Sequence, residues 1–354
     1  MLAADQAEQI LSHVQTAAET RTTLNIQAGE SKNFYGRHTD AEVLDVSAHQ
    51  GIINYQPSEL VITARAGTLL SDINSALKKH HQMLAFEPPG FSDAATLGGT
   101  IACNLSGPRR AYSGAARDYV LGCTLINGQA EKIHFGGEVM KNVAGYDVSR
   151  LMCGAMGTLG VLLDISLKVV PEPEAEITLV QQCDIKQALH NLHHWANSNI
   201  AVSASCYDGE NLYYRLSGNT SAIQAGRKIT GGDEQDISID FWHPLKEQQH
   251  SFFNSDVPLW RLSLGSSTEA LPLQGDTLIE WGGALRWLKS NESAESIRRE
   301  LESHGGQATL FRHHTAQTDP FHKLSPGLLS IHKQLKKAFD PLNIFNPGRM
   351  YPGL

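Results

Sequence analysis

The chain has 354 residues, of which 41% are hydrophobic and 19% are charged, and its formal net charge is −8. This length predicts two domains rather than one, and the composition excludes a disordered chain. The negative charge, with no long run of lysine or arginine, excludes a dedicated nucleic-acid-binding protein, so no nucleic-acid partner is expected.

The cysteines and the N-terminus indicate a reducing compartment. The five cysteines lie far apart without a C-x-x-C pair, so they predict neither a disulfide framework nor a metal or iron–sulfur ligand set. Residues 1–20 predict an amphipathic helix, with Ile10 and Val14 on its apolar face, rather than a signal peptide. No segment approaches the roughly 20 apolar residues that a membrane span needs, and we expect a cytoplasmic protein.

The first half of the sequence alternates strand patterns with helix patterns. Thr68 is predicted to cap a helix whose apolar residues share one face. Asn127-Gly128 predicts a tight hairpin turn because both residues accept a positive φ, and Asp147 is predicted to cap a short helix. Strands are predicted over residues 24–28, 44–46, 60–64, 120–126, 130–135 and 163–169.

The segment Pro171-Glu172-Pro173-Glu174 is the predicted boundary between the halves, because proline removes a strand donor and the charges solvate the link. Beyond it, Asp184 is predicted to cap a helix, with Gln187 three residues on. Helices are predicted over residues 185–196, 221–229 and 294–303, and strands over residues 177–180, 259–264 and 278–281. This order predicts an α+β domain built on an antiparallel sheet.

Four glycine-rich segments of the first half can approach a ligand closely, because glycine has no Cβ and its N–H group can face phosphate oxygens. Gly154, Gly157 and Gly160 have the spacing of a dinucleotide fingerprint. They follow a predicted helix and open a predicted strand, which is the reverse of a Rossmann site, so that site is excluded. The segments are residues 28–32, 96–100, 106–114 and 154–160.

The order of these segments is more specific than any one of them. The pieces are the loop at 28–32, Pro88-Pro89, Thr96-Leu97-Gly98-Gly99, Asn104-Leu105-Ser106-Gly107, Gly114 with Arg117-Asp118, Lys141-Asn142-Val143-Ala144-Gly145-Tyr146-Asp147, Gly157-Thr158-Leu159-Gly160-Val161 and Phe345-Asn346-Pro347-Gly348-Arg349. In this order the chain resembles the FAD-binding domain of the vanillyl-alcohol-oxidase/p-cresol-methylhydroxylase class. Within that class it is most similar to the FAD-binding subunits of multi-subunit glycolate oxidases, over nearly the whole chain.

The resemblance implies an α+β fold. A two-part FAD-binding domain of the p-cresol-methylhydroxylase type would carry a smaller α+β cap domain built on an antiparallel sheet. The implied FAD-binding domain spans residues 1–172 and the cap spans residues 173–335. Residues 336–354 would return to the FAD-binding domain.

The resemblance also implies which residues bind FAD. Gly29 and Ser31 would cradle the pyrophosphate, and the backbone of Val161 would meet the adenine. Asn346 and Arg349 would reach the isoalloxazine from the C-terminus. The full implied set is Gly29, Glu30, Ser31, Lys32, Pro88, Thr96, Gly98, Gly99, Cys103, Asn104, Ser106, Gly107, Gly114, Arg117, Asp118, Gly160, Val161, Asn346 and Arg349, with Arg117 and Asp118 closing the pocket.

The first loop departs from the pattern of its relatives in two ways. Glu30 interrupts a loop that is often all glycine, so its carboxylate must point away from a pyrophosphate or meet Lys32. Relatives with covalent flavin place a histidine in this loop, and residues 28–37 contain none. The resemblance therefore implies that FAD binds non-covalently.

By resemblance, the chain is a subunit that helps convert glycolate, a small 2-hydroxy acid, to glyoxylate. The implied partners are a larger flavoprotein subunit and an iron–sulfur subunit, and this complex could attach the chain peripherally to the inner membrane. Related flavin dehydrogenases carry an H-x-G-D-G-N-x-H motif in the cap, which this sequence lacks, and no catalytic residue is predicted. A self-sufficient FAD-dependent 2-hydroxy-acid dehydrogenase and a non-catalytic structural flavin subunit stay open as alternatives.

Two other patterns allow both a structural and a functional interpretation. His190, His193 and His194 have a metal-binding spacing on one helix, but they lie opposite its apolar stripe, so a solvated face is predicted. Trp281 and Trp287 flank a Gly-Gly turn, for which core packing is the favoured interpretation and a partner surface is the alternative.

Overall fold

The computed structural model describes residues 4–137, 147–234, 238–313 and 318–354, without the side chains of residues 238–240. Residues 141–146 of the motif that ends at Asp147 therefore lie outside the described residues. The expected α+β fold, with an antiparallel sheet in the second half, is confirmed.

The first half builds a five-stranded antiparallel sheet of order β3-β4-β8-β6-β7, beside a parallel pair β1-β2 and a short pair β5-β9. The strands are β1 (Leu24–Gln27), β2 (Glu42–Asp45), β3 (Ile52–Gln56), β4 (Val61–Arg65), β5 (Gln82–Met83), β6 (Val120–Ile126), β7 (Lys132–Gly136), β8 (Val161–Lys168) and β9 (Val170–Pro171). The helices are α1 (Ala7–Thr20), α2 (Leu70–Lys78), α3 (Leu97–Cys103), α4 (Arg110–Ser113) and α5 (Val148–Leu151).

Helix α2 has the predicted apolar face but not the predicted cap. Leu70, Ile73 and Leu77 are buried at helical spacing, as expected. Thr68 is not the cap, because its hydroxyl accepts from the N–H of Gly51 at 2.9 Å and donates to the carbonyl of the same residue at 3.2 Å. Its side chain therefore ties two loops together instead of starting the helix.

The connection between β6 and β7 is longer than the predicted tight turn. Ala130, rather than Gly128, takes a positive φ of 58°, and the side-chain oxygen of Asn127 accepts two backbone N–H groups at 3.0 and 2.9 Å. A Cβ at Gly128 would lie 2.7 Å from the Cα atom of Asp340. This glycine is therefore required by the close approach of the C-terminal segment.

The second half builds one eight-stranded antiparallel sheet of order β13-β10-β12-β11-β15-β16-β14-β17. Asp184 caps α6 as predicted, accepting from the N–H of Gln187 at 2.8 Å. The strands are β10 (Ala175–Gln182), β11 (Val202–Tyr207), β12 (Asn211–Gly218), β13 (Asp233–Glu234), β14 (Leu259–Ser263), β15 (Asp276–Glu280), β16 (Leu285–Lys289) and β17 (Gln307–Arg312), and the helices are α6 (Ile185–Ala196), α7 (Thr220–Thr230), α8 (Ser238–Lys246) and α9 (Ala294–Ser303).

The two faces of this sheet pack against different parts of the protein. Leu192 of α6 and Ile223 of α7 pack on one face around Tyr214. On the other face, a cluster joins residues of the first half to the second half, and we call this contact the junction. It contains Phe91 and Leu105 from the first half and Phe241, Trp242, Leu259, Trp281, Trp287 and Phe311 from the second.

The junction buries both tryptophans of the Gly-Gly turn. Trp281 is 5% exposed and Trp287 is 6% exposed. Core packing is therefore confirmed, and the alternative of a partner surface at this turn is wrong. The predicted solvated histidines are also confirmed, because His190, His193 and His194 are all exposed on α6.

A helix that the sequence analysis missed, α10 (Pro326–Phe339), returns the chain to the first half. The ammonium of Lys336 is buried and donates to the carbonyls of Thr158 and Phe345 and to the carboxylate of Asp340, at 2.8, 2.7 and 2.7 Å. The carboxylate of Asp340 also accepts two backbone N–H groups of the following turn, at 3.0 and 2.8 Å. This ion pair fixes the C-terminal segment against the first half.

None of the described helices combines the length and the apolar character needed to cross a membrane.

Lys336→Met should destabilise the fold, because it leaves the carboxylate of Asp340 buried without its cation. Breaking a buried pair in this way costs about 3–5 kcal/mol. Lys337→Met is the matched control, since Lys337 lies next along the helix and is exposed. Urea unfolding should show a lower midpoint for Lys336→Met alone, and equal midpoints for the two variants would contradict this role of the pair.

Candidate cofactor site

A cleft of about 820 Å³ opens in the first half, and we call it the cofactor cleft. Its lining comes from β1 and the following loop, from α3, from the turn before β8 and from the C-terminal segment: Asn25, Ile26, Gln27, Ala28, Gly29, Glu30, Ser31, Lys32, Asn33, Val46, Ala66, Thr96, Gly98, Gly99, Ala102, Cys103, Met156, Gly157, Gly160, Leu162, Asn346 and Arg349.

The loop after β1 forms one wall. A Cβ at Gly29 would overlap the carbonyl oxygen of Ala94, so only glycine allows this close approach. Glu30 takes a positive φ of 52° and is exposed. Its carboxylate does not pair with Lys32, whose ammonium instead donates to the hydroxyl of Ser31 and the carbonyl of Gly90, each at 3.2 Å.

Two buried cations line the cofactor cleft. Lys32 is 6% exposed and Arg349 is 9% exposed, and burial lowers the pKa of both groups. The guanidinium of Arg349 donates to the carbonyls of Arg37 and Tyr35, each at 3.0 Å. Because the one carboxylate in the lining, that of Glu30, is exposed, the inner part of the cleft favours an anionic ligand.

Cys103 lies beside these cations. Burial raises the pKa of its thiol, while the charges of Lys32 and Arg349 act in the opposite direction. Burial therefore dominates, and it favours the neutral thiol over the nucleophilic thiolate.

The C-terminal segment closes the cofactor cleft through Asn346. Its side-chain oxygen accepts from the N–H of Ile26 at 2.7 Å, and its amide donates to the carbonyl of Met156 at 2.6 Å. One buried side chain thus joins β1 to the turn before β8, and the two walls cannot separate without breaking these bonds.

Helix α3 presents Gly99 to the cofactor cleft. The N–H of Gly99 donates to the hydroxyl of Thr96 at 3.2 Å. A Cβ at Gly99 would meet only that hydroxyl, at 3.3 Å. No other protein atom would block a side chain at this position, and because Gly99 lines the cofactor cleft, a side chain here would enter the cleft.

The structure brings many of the predicted site residues together in this cleft. They are Gly29, Glu30, Ser31, Lys32, Thr96, Gly98, Gly99, Cys103, Gly160, Asn346 and Arg349. Several lining residues were missed, including Asn25, Val46 and Ala66, because single residues of strands and strand ends carry no motif.

The other predicted residues lie outside the lining of the cleft. Arg117 and Asp118 are exposed on a short turn, where the carboxylate of Asp118 accepts from the N–H of Ala115 at 2.8 Å. The side chain of Val161 is buried in the core, and only its neighbours Gly160 and Leu162 line the cleft. The remaining residues outside the lining are Pro88, Asn104, Ser106, Gly107 and Gly114.

Ser106 and Gly107 line a second space of about 360 Å³ at the junction, which we call the inner cavity. Its walls include Phe91 from the first half and residues of α8, β14, β15, β16 and β17 from the second. The full lining is Pro89, Phe91, Leu105, Ser106, Gly107, Pro108, Leu245, Lys246, Gln248, Arg261, Glu280, Trp281, Leu285, Trp287 and Phe311.

Comparisons with known proteins agree with this architecture. Residues 1–136 match the family described as FAD binding domain, and residues 290–350 match the C-terminal domain of FAD linked oxidases. The solved structure of an alkyldihydroxyacetonephosphate synthase covers 96% of this chain and 74% of its own, with a TM-score of 0.69 and 15% identity, which shows a shared fold.

Among sequence relatives, the glycolate oxidase subunit GlcE of Escherichia coli (strain K12) is 46% identical over 350 residues, which cover 99% of both chains. A D-lactate dehydrogenase of Archaeoglobus fulgidus is 34% identical over 343 residues, covering 80% of this chain and 76% of the relative. These similarities define an FAD-dependent oxidoreductase with an FAD-binding domain of the p-cresol-methylhydroxylase type. The chain belongs to the family of the glycolate oxidase subunit GlcE.

The residues of the cofactor cleft fit FAD. A dinucleotide needs positive charge for its pyrophosphate and places where backbone can approach it closely. Lys32 and Arg349 supply the positive charge, and Gly99 borders the cleft without a side chain.

Gly99→Asp should abolish FAD binding and keep the fold, because the new side chain enters ligand space and adds a negative charge. Two like unit charges about 4 Å apart repel by about 4 kcal/mol at an effective dielectric of about 20. Gly99→Ala is the control, since its methyl group meets only the hydroxyl of Thr96 at 3.3 Å. Flavin absorbance of the purified variants measures occupancy, and full flavin content in Gly99→Asp would show that α3 does not border the cofactor.

Proposed function

We propose that this chain is the FAD-binding subunit of a multi-subunit glycolate oxidase, which oxidises glycolate to glyoxylate. The observation that carries the proposal is the 46% identity to the glycolate oxidase subunit GlcE over 99% of both chains. The structure supports the same conclusion, because it contains the cofactor cleft with two buried cations in its lining.

In this proposal the cleft residues bind and orient FAD rather than react. Lys32 and Arg349 offset the negative charge of the cofactor, and Gly99 allows its close approach. Asn346 holds the walls at a fixed separation through its bonds to Ile26 and Met156. Bound flavin supplies the chemistry, because it accepts a hydride from a 2-hydroxy acid and passes electrons onward.

We propose two partners, a larger flavoprotein subunit and an iron–sulfur subunit. The glycolate oxidase subunit GlcD of Bacillus subtilis (strain 168) is 30% identical over 174 residues, covering 48% of this chain and 37% of the relative, so a second glycolate oxidase subunit of related sequence exists. Among the described residues, no group of three or more His, Cys, Asp or Glu side chains could hold a metal ion. Reduced flavin would then pass its electrons to a carrier in another subunit.

The proposed domain division assigns residues 1–172 and 336–354 to the FAD-binding domain and residues 173–335 to the cap. The eight-stranded sheet runs from Ala175 to Arg312, within the proposed cap. Asn346 and Arg349 line the cofactor cleft, which supports assigning the C-terminal segment to the first domain.

The FAD should be released by acid or heat, because the described lining of the cleft contains no histidine and burial keeps the thiol of Cys103 neutral. Precipitation followed by absorbance of the supernatant measures released flavin. Flavin retained in the pellet would contradict non-covalent binding, and Cys103→Ser would then show whether this thiol forms the bond.

Steady-state oxidation of glycolate should be slow with the isolated chain and restored by the two partner subunits. The reason is the missing histidine-rich cap motif, together with the lack of an onward electron carrier among the described residues. Anaerobic mixing with glycolate, followed at the flavin absorbance maximum, tests this. Rapid and complete bleaching in the isolated chain would favour a self-sufficient 2-hydroxy-acid dehydrogenase instead.

A further inference from the structure

The loop of residues 87–91, which we call the 87–91 loop, has a strained backbone where the two halves of the protein meet. Both of its end residues take a positive φ, 45° at Glu87 and 61° at Phe91, although neither is a glycine. Pro88 and Pro89 between them have no backbone N–H to donate. A residue with a side chain adopts such a φ rarely, and it does so where surrounding contacts hold it, often beside a ligand site.

The second half supplies such contacts through one carboxylate. Glu247 directly follows α8, and its Oε2 atom accepts from the N–H of Gly90 at 3.0 Å and from the N–H of Phe91 at 2.6 Å. Its side chain is 11% exposed. Burial opposes ionisation, yet the charge of Lys246 and these two N–H groups lower the pKa of Glu247 below its ordinary value. The carboxylate is therefore ionised at neutral pH.

The 87–91 loop also contacts a cation of the cofactor cleft. The carbonyl of Gly90 and the hydroxyl of Ser31 accept from the ammonium of Lys32, each at 3.2 Å. An ammonium has three N–H donors, so these two acceptors leave the third for a ligand in the cleft. The direction of that third donor depends on where the loop places the carbonyl of Gly90.

Glu247 acts on Lys32 through its charge as well. Burial lowers the pKa of Lys32, whereas Cys103 and Glu247 act in the opposite direction. One carboxylate of the second half thus fixes the position of the ammonium and favours its charged form. The charged form is the one that can offset the negative charge of a pyrophosphate.

The other buried cation of the cofactor cleft does not depend on the second half in this way. The guanidinium of Arg349 donates to the carbonyls of Arg37 and Tyr35, each at 3.0 Å, and both carbonyls belong to the first half. Of these two cations, Lys32 is therefore the one whose position is tied to α8.

We propose that Glu247 is a positioning residue for FAD, because it holds the 87–91 loop so that the carbonyl of Gly90 directs the ammonium of Lys32 at the anionic part of the cofactor. This inference rests on the proposed function in placing FAD in the cofactor cleft. Glu247 lies outside the lining of that cleft, so it acts through the loop and through Lys32. The affinity for FAD therefore depends on the docking of α8 against the first half.

Equilibrium dialysis of the full-length chain against FAD measures the dissociation constant. Glu247→Met removes the acceptor and should weaken FAD binding by about tenfold, the typical loss of a charge-assisted hydrogen bond. Glu247→Gln keeps an oxygen that can accept from both N–H groups and should retain most of the affinity. Glu295→Met is the control, since it removes one exposed negative charge of α9 and should change nothing.

A double-mutant cycle with Lys32→Met tests whether the effect passes through the lysine. Lys32→Met alone should weaken FAD binding. Adding Glu247→Met should then cause little further loss, because the ammonium that Glu247 positions is already absent. A general structural role of Glu247 would not depend on Lys32, and the two losses would then add.

The outcomes separate this inference from the proposed function. A wild-type chain that binds no FAD would refute the proposed function. If the wild-type chain binds FAD, equal affinities of Glu247→Met and Glu295→Met, or additive losses in the cycle, would refute the inference alone. Equal losses in Glu247→Gln and Glu247→Met would also overturn it, because the charge would then matter without the loop. Glu247→Asp, whose shorter side chain withdraws the oxygen from the loop, gives the same comparison should Glu247→Met not fold.

Discussion

A network of two buried arginines and two partly exposed carboxylates fixes how the two halves of this protein pack against each other. Glu87 and Arg109 come from the first half, and Glu176 and Arg215 come from the second. Arg215 donates to Glu87 at 2.7 Å, Arg109 donates to Glu87 at 3.2 Å, and Arg109 also pairs with Glu176. Burial opposes the charge of Arg109, yet the two carboxylates raise its pKa above its ordinary value. Removing Glu87 would leave two buried guanidinium groups short of a counter-charge, so the network favours a single docking geometry.

The position of the second half affects the cofactor cleft through the loop that follows Glu87. The carboxylate of Glu247, next to the end of α8, accepts from the N–H groups of Gly90 and Phe91 at 3.0 and 2.6 Å. The carbonyl of Gly90 in turn accepts from the ammonium of Lys32 at 3.2 Å. The second half therefore positions a cation of the cofactor cleft although it contributes no side chain to the lining of that cleft. This explains why the cleft is built by the first half and the C-terminal segment and yet depends on the whole chain.

The sequence patterns correctly predicted the features that are determined by residues close together in the sequence. The cap at Asp184, the bounds of α9 and the apolar face of α2 follow from side-chain spacing alone. The predictions that failed depend on contacts between residues far apart in the sequence. Thr68 forms hydrogen bonds with Gly51 instead of capping α2, and residue 128 must be glycine because Asp340 packs against it. The same division holds at the site. Glycine segments and the C-terminal motif identified much of the lining. Asn25, Val46 and Ala66 also line the cleft, but they come from separate strands and strand ends that meet only in the folded chain, and no pattern along the sequence encodes them.

The two spaces are linked by a path of aromatic rings. Phe34 lies just after the lysine of the cofactor cleft, and its ring centroid is 5.3 Å from that of Phe311, which is 5.0 Å from the centroid of Trp287 in the wall of the inner cavity. Aromatic contacts of this kind are rigid because they interdigitate at close packing. A cofactor that orders the loop after β1 would therefore also order the wall of the inner cavity.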